Sequence, residues 1–191
     1  MTAQRGLLIV ISGPSGVGKD TVIKRLLELD PRLRYSVSYT TRSPRPGEVD
    51  GVDYRFVKRE EFERLMREGS LLEYATYDGH LYGTPIAPLD QARAAGYDVV
   101  LKIDVQGAEQ VRKRAADALR IFLAPPNMEE LLRRRTERHS ESPRDQTARQ
   151  RIALDEMALA PHFDHVVVNE DLERAVQEVL AIIRRARERH T

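Results

Sequence analysis

Four short apolar runs punctuate the chain, at Leu7–Ser12, Asp98–Ile103, Leu119–Ala124 and His165–Val168, separated by segments of helical character. The first is branched and uncharged, the pattern of a strand buried on both faces. Such alternation predicts an α/β fold, a parallel β-sheet core flanked by helices. After the first run Val22, Ile23, Leu26, Leu27 and Leu29 recur at helical spacing, with Lys24, Arg25 and Glu28 between them. The stretch Asp171–Arg189 repeats the device, with Leu172, Ala175, Val176, Val179, Leu180 and Ile183 on one face. Its Arg-rich end suits a solvated helix C-terminus.

Two segments depart from this rhythm. Residues 35–88 are rich in Ser, Thr, Tyr, Gly and Pro, with strand-like pieces at Tyr35–Tyr39 and Tyr54–Val57 and one helix at Arg59–Glu68. They predict an inserted mixed α/β subdomain. Residues 134–149 are strongly charged and flanked by helical pattern, which predicts a small mobile lid. The remainder, 7–34, 89–133 and 150–191, forms the core of a single domain, and 191 residues suffice to bury one.

Between the first apolar run and its helix stands Gly13-Pro14-Ser15-Gly16-Val17-Gly18-Lys19-Asp20-Thr21. The spacing G-x-x-x-x-G-K between strand and helix is that of a phosphate-binding loop, and predicts a P-loop NTPase fold. Glycines let successive backbone N–H groups surround phosphate oxygens. The helix adds the positive end of its dipole, and Lys19 a mobile charge. The next position normally offers a Ser or Thr hydroxyl to Mg²⁺; here it is Asp20.

Composition narrows the field. Thirty-one basic residues balance thirty acidic ones, so charge supplies no reason to expect nucleic acid or membrane as partner. Arginines outnumber lysines by 26 to 5, which suits phosphate handling because guanidinium binds phosphate bidentately. The absence of cysteine excludes disulfides, thiol catalysis and Cys-zinc sites. His162 and His165 lack a third ligand for zinc. No apolar run approaches ~18 residues and no signal peptide precedes the first strand, so a cytoplasmic protein is expected.

The 35–88 segment carries a second constellation. Arg42 and Arg45, stiffened by Pro44 and Pro46, form a clamp suited to a phosphomonoester, and Tyr54 and Tyr82 offer hydroxyls to the same group. A polar surface loop is the alternative reading of those residues taken alone.

Taken together, the motifs resemble the guanylate kinases, from Leu7 to about Leu180. They are I-S-G-P-S-G-V-G-K, S-Y-T-T-R-S-P-R-P-G-E with G-V-D-Y-R-F, L-L-E-Y, Y-G-T-P, I-D-V-Q-G, F-L-A-P-P and V-V-V-N-E-D-L. The resemblance implies Mg²⁺-dependent phosphoryl transfer from ATP to GMP. It implies that Ser38, Glu73, Thr84 and Asp104 surround guanine, and that Arg42, Arg45, Tyr54 and Tyr82 hold the GMP phosphate. Lys19, Arg42 and the lid residues Arg134, Arg138 and Arg149 would carry catalysis, although Arg133, Arg135 and Arg151 lie close by. Asn169 falls where relatives approach adenine; capping of the last helix explains it equally well. No obligatory protein partner is implied.

Two positions depart from the family pattern: Asp20, where Ser, Thr or Gly is usual, and Lys102, where an acid is usual. Lys102 neutralising Asp20, Asp20 contacting Mg²⁺, or both side chains pointing away are the readings open. The rival functions are a protein-binding module that keeps the fold without turnover, and a kinase acting on a ribose phosphate.

Overall fold

The computed structural model describes residues 4–77, 79–136 and 143–190, with 134–136 and 143–149 described by backbone alone. A five-stranded sheet runs in the order β2-β7-β1-β8-β9, from β1 (Leu8–Ser12), β2 (Leu33–Tyr35), β7 (Asp98–Lys102), β8 (Leu119–Ala124) and β9 (His165–Val168). The pairs β1/β8, β2/β7 and β8/β9 are parallel. A four-stranded sheet has the order β4-β3-β6-β5, from β3 (Tyr39–Thr40), β4 (Arg55–Phe56), β5 (Leu71–Tyr77) and β6 (His80–Pro85). The helices are α1 (Lys19–Leu29), α2 (Arg59–Arg67), α3 (Ile86–Ala94), α4 (Val105–Arg114), α5 (Met128–Thr136), α6 (Pro143–Ala158) and α7 (Leu172–His190). No helix among the described residues is long and apolar enough to cross a membrane.

The chain groups into two compact units. One comprises Arg32–Ala118 with the N-terminal stretch through Leu8; the other comprises Ile9–Pro31 and Leu119–Thr191. The second unit takes Ile9–Ser12 of β1, a strand buried along its whole length, as one covered on both faces must be. Val22, Ile23 and Leu26 of α1 are buried, as are Ala175, Val176, Val179, Leu180, Ile182 and Ile183 of α7. Leu29, expected in the apolar stripe of α1, is exposed, because the helix ends there. Nor is the Arg-rich end of α7 wholly solvated: Arg187 pairs with Asp30 at 2.7 Å, both largely covered.

In the first unit, the stretch read as one strand-like piece, Tyr35–Tyr39, divides. Leu33–Tyr35 pairs with β7 in the five-stranded sheet, and Tyr39–Thr40 belongs to the four-stranded one. The latter sheet packs on Phe62 of α2, buried with Leu71 and Leu81. The expected end of the insertion at Pro88 falls inside α3, where an N-terminal proline costs no helix hydrogen bond.

Candidate functional site

The loop after β1 is tied down by its own residues. Gly18 caps α1 with φ +95°, a left-handed conformation that glycine adopts without penalty. A Cβ there would also stand 2.6 Å from Asn169 Nδ2. Asn169 is buried at the end of β9 and donates to the Val17 carbonyl at 2.7 Å. Val17 is itself buried, an apolar plug under the loop, and its N–H donates to the Pro14 carbonyl at 3.3 Å. Lys19 Nζ reaches back over the turn to the carbonyls of Gly13 (2.6 Å) and Pro14 (3.0 Å). Ser15, Asp20 and Thr21 are exposed. Asn169 is thus not the cap of the last helix: Asp171 takes that part, its carboxylate accepting from Arg174 N at 2.8 Å.

In the Arg32–Ala118 unit a basic and aromatic cluster forms on β3, β6 and the loop following β3. Arg42 Nε donates to Tyr82 Oη at 3.2 Å, and Nη1 and Nη2 each meet a carboxylate oxygen of Glu48 at 2.8 Å. That fork raises the Arg42 pKa through the Glu48 bond and holds the Glu48 carboxyl below its usual range. Glu48 also accepts from the Arg45 N–H at 2.7 Å, closing the turn that carries both arginines. The Tyr54 ring stands edge-on to Tyr82, centroids 5.8 Å apart, with the Arg42 guanidinium 5.5 Å and Lys102 Nζ 5.3 Å from its centre. Arg45 is exposed.

A buried carboxyl lies on the same sheet. Glu73 and Thr84 are cross-strand partners on β5 and β6, and Thr84 Oγ1 donates to Glu73 Oε1 at 2.7 Å. Both are buried, as is Ser38. Burial pushes the Glu73 pKa from 4.5 up to about 7, against the Thr84 hydrogen bond, and the Asp104 carboxylate adds to the rise. Asp104 caps α4, accepting from Gly107 N at 2.8 Å. A Cβ on Gly107 would lie 2.5 Å from Glu73 Oε2, so only glycine leaves the carboxyl its place. β6 presents Tyr82 and Thr84 two residues apart on one face, about 7 Å along the strand.

Ser38, Arg42, Arg45, Tyr54, Glu73, Tyr82, Thr84, Asp104 and Lys102 therefore share one unit, whereas the loop residues 13–21 and Asn169 share the other. Arg138 lies outside the described residues, as do the side chains of Arg134, Arg135 and Arg149. Arg133, named beside them, pairs with Glu130 on its own helix at 2.8 Å. Sequence reasoning missed Glu48, Gly107, Gln110 and Arg114. The first two sit within quoted motifs; the last two show no signal beyond helical spacing with Gly107.

A parallel sheet whose first strand feeds a G-x-x-x-x-G-K loop and a helix defines the class of phosphate-loop nucleotide-binding folds. A gluconokinase from Sinorhizobium meliloti 1021 shares the fold alone, with TM-score 0.52 at 18% identity, covering 97% of this chain and 95% of that one. Residues 5–186 match the guanylate kinase family model, and the chain belongs to that family. It is 50% identical over 182 residues to the guanylate kinase of Rubrobacter xylanophilus, covering 95% of each chain. It is 53% identical over 189 residues to a guanylate kinase of Thermus thermophilus, covering 99% of this chain and 84% of the relative. The crystal structure of the guanylate kinase from Anaplasma phagocytophilum superposes with TM-score 0.79 at 37% identity, covering 95% of this chain and 86% of that one.

Proposed function

We propose that the protein transfers the γ-phosphoryl group of ATP to GMP, giving ADP and GDP. The observation that carries the acceptor assignment is the buried Glu73 carboxyl bonded to Thr84. Guanine offers N1–H and a 2-amino group side by side, and an ionised carboxylate accepts from both. Adenine has an acceptor at N1 and repels it. Ser38 and Asp104 complete the base site. Arg42, Arg45, Tyr54 and Tyr82 hold the acceptor phosphate, so that Tyr82 meets the phosphate end of GMP and Thr84 its base end from one face of β6.

On the donor side, the loop Gly13–Thr21 cradles the ATP phosphates with its backbone and Lys19, and Asn169 lies toward adenine. Lys19 rests on the loop carbonyls and exchanges them for phosphate oxygens when nucleotide enters. The family's catalytic arginines fall at Arg134, Arg138 and Arg149, in the charged segment 134–149 that we assign as a lid; 35–88 is assigned as the GMP-binding subdomain and 7–34, 89–133 and 150–191 as the core. A GMP phosphate oxygen, already anionic near neutral pH, attacks the γ-phosphorus. The bond to the β,γ-bridging oxygen breaks, and ADP leaves with its electron pair. Such a reaction requires positioning and charge neutralisation rather than a protein nucleophile. The residues must also exclude water as a competing acceptor.

Magnesium fits the donor set. A divalent ion here would take most of its ligands from phosphate and water, as Mg²⁺ prefers. Asp20, an exposed carboxylate in the first turn of α1, is the residue to hold it. When bound, the ion would neutralise charge on the β- and γ-phosphates. The alternative role of Asp20, an ion pair with Lys102, is tested by a double-mutant cycle of Asp20→Ser and Lys102→Asp. Additive effects on turnover would rule the pair out. A cytoplasmic setting suits these substrates.

The whole assignment is tested by ADP release from ATP with GMP, AMP, CMP and UMP in turn. Strong preference for GMP is expected. No turnover with any of them would favour a binding module, and a non-guanine acceptor would overturn the reading of Glu73.

A further inference from the structure

β5 is the outer strand of its sheet, so its edge away from β6 carries peptide groups with no strand beside them. Helix α4 supplies their partners. The Gln110 side-chain amide engages both backbone groups of Tyr74: Oε1 accepts from Tyr74 N at 3.2 Å, and Nε2 donates to Tyr74 O at 2.7 Å. Paired bonds to the N–H and C=O of one residue are what a neighbouring antiparallel strand would provide. Gln110 is in effect a one-residue strand. The β5–β6 register is broken between Leu71 and Glu73, and there Arg114 Nη1 donates to the carbonyls of Leu71 and Leu72 at 3.1 and 3.0 Å. Gly107 leaves room for the Glu73 carboxyl itself. The spacing 107, 110, 114 puts all three on one helix face.

We propose that Gln110 and Gly107 are positioning residues for acceptor-base selection, acting through Glu73. The proposal rests on the reading of Glu73 as the guanine-binding carboxylate. Thr84 holds Glu73 Oε1 from the β6 side, but next to a register break an edge strand gets no such support on its open side. The two Gln110 bonds hold the peptides on either side of Tyr74, the first of which is joined to Glu73; Arg114 takes up the Leu71 and Leu72 carbonyls at the register break, and Gly107 sets how close the helix comes. The acceptor base is therefore selected by a strand that α4 aims.

Steady-state kinetics on four variants tests this: Gln110→Ala, Gly107→Ala, Glu73→Gln and Gly107→Ala/Glu73→Asp. Losing the two Gln110 bonds should raise KM for GMP about tenfold. Selectivity for GMP over AMP should fall with it, while KM for ATP stays within about twofold. Gly107→Ala should raise KM for GMP by about a hundredfold, and Glu73→Asp in the same chain should recover part, because the shorter side chain withdraws from the new methyl. Gln110→Ala keeps the test decisive even where Gly107→Ala does not fold. Wild-type KM and selectivity in Gln110→Ala would overturn the proposal, as would equal rises in KM for GMP and ATP. Lost selectivity in Glu73→Gln with Gln110→Ala intact refutes only the positioning role; unaltered selectivity in Glu73→Gln refutes the reading beneath it.

Discussion

Glu73→Gln should make the free protein more stable while damaging what it does. The Glu73 carboxyl is buried at 4% exposure, and its pKa is pushed from 4.5 to about 7 by that burial. A folded-state pKa above the unfolded one means the native protein binds more protons between the two values. Stability therefore falls as pH rises through the window from 4.5 to about 7. At ~1.36 kcal/mol per pH unit, the ionised carboxyl costs the fold about 3 kcal/mol at and above neutrality. Glutamine keeps an acceptor for the Thr84 hydroxyl and carries no charge, so most of that cost disappears. For a chain of this size the gain corresponds to a rise in Tm of roughly 6–12 °C. The assay is thermal or urea denaturation of wild type and Glu73→Gln at several pH values from about 4 to 8, the range that brackets both protonation states. The difference should be largest at the alkaline end and close toward the acid end. A variant no more stable than wild type above neutrality, or a difference independent of pH, would refute the reasoning.

Other outcomes follow from the same geometry. Lys19→Met should lower kcat by about 10²–10³, the scale of losing one preorganised charge on the transferred group; unchanged turnover would exclude that role. Gly18→Ala should cost at least about 1–2 kcal/mol by urea denaturation, from the left-handed backbone alone, and should raise KM for ATP by displacing Asn169. A stability equal to wild type would show that the contact is not tight. Glu48→Gln breaks the carboxylate fork on Arg42 and should raise KM for GMP roughly tenfold, at ~1.5 kcal/mol for a charged hydrogen bond; an unchanged or lower value would mean that Glu48 competes with the phosphate rather than orienting its arginine.

The elements read well from sequence were those whose environment is uniform. β1, β7, β8 and β9 are short apolar runs because both faces or the inner face are covered, and their bounds agree to within a residue. The phosphate loop was legible because its geometry is local: glycines, lysine and helix start stand in consecutive positions. β2 was merged with the piece after it, since three residues with an exposed Arg34 at the centre show no period. The β5–β6 hairpin shows no clear strand pattern in the sequence, although Asp78-Gly79 is a strong turn signal. Its strands mix buried and exposed residues around a register break, so alternation is lost. For the site, the family motifs pointed to Glu73, Thr84, Arg42 and Tyr82. What they could not convey was support. Which face of α4 meets β5, and that Gly107 rather than any other residue touches the carboxyl, depend on packing between segments some thirty residues apart in the chain. The fork between Arg42 and Glu48 is closer in sequence, but its six-residue spacing belongs to a loop and has no periodic signature.

A buried carboxylate at position 73 that reads guanine is tested most directly by the ratio of kcat/KM for GMP to that for AMP, measured side by side in wild type and Glu73→Gln. Sites that pair buried polar groups discriminate by up to about 10⁴–10⁵, and wild type should approach that range. The ratio should collapse by at least about a hundredfold in Glu73→Gln, which can no longer accept from both guanine N–H groups. A variant that still prefers GMP as strongly as wild type would contradict the account.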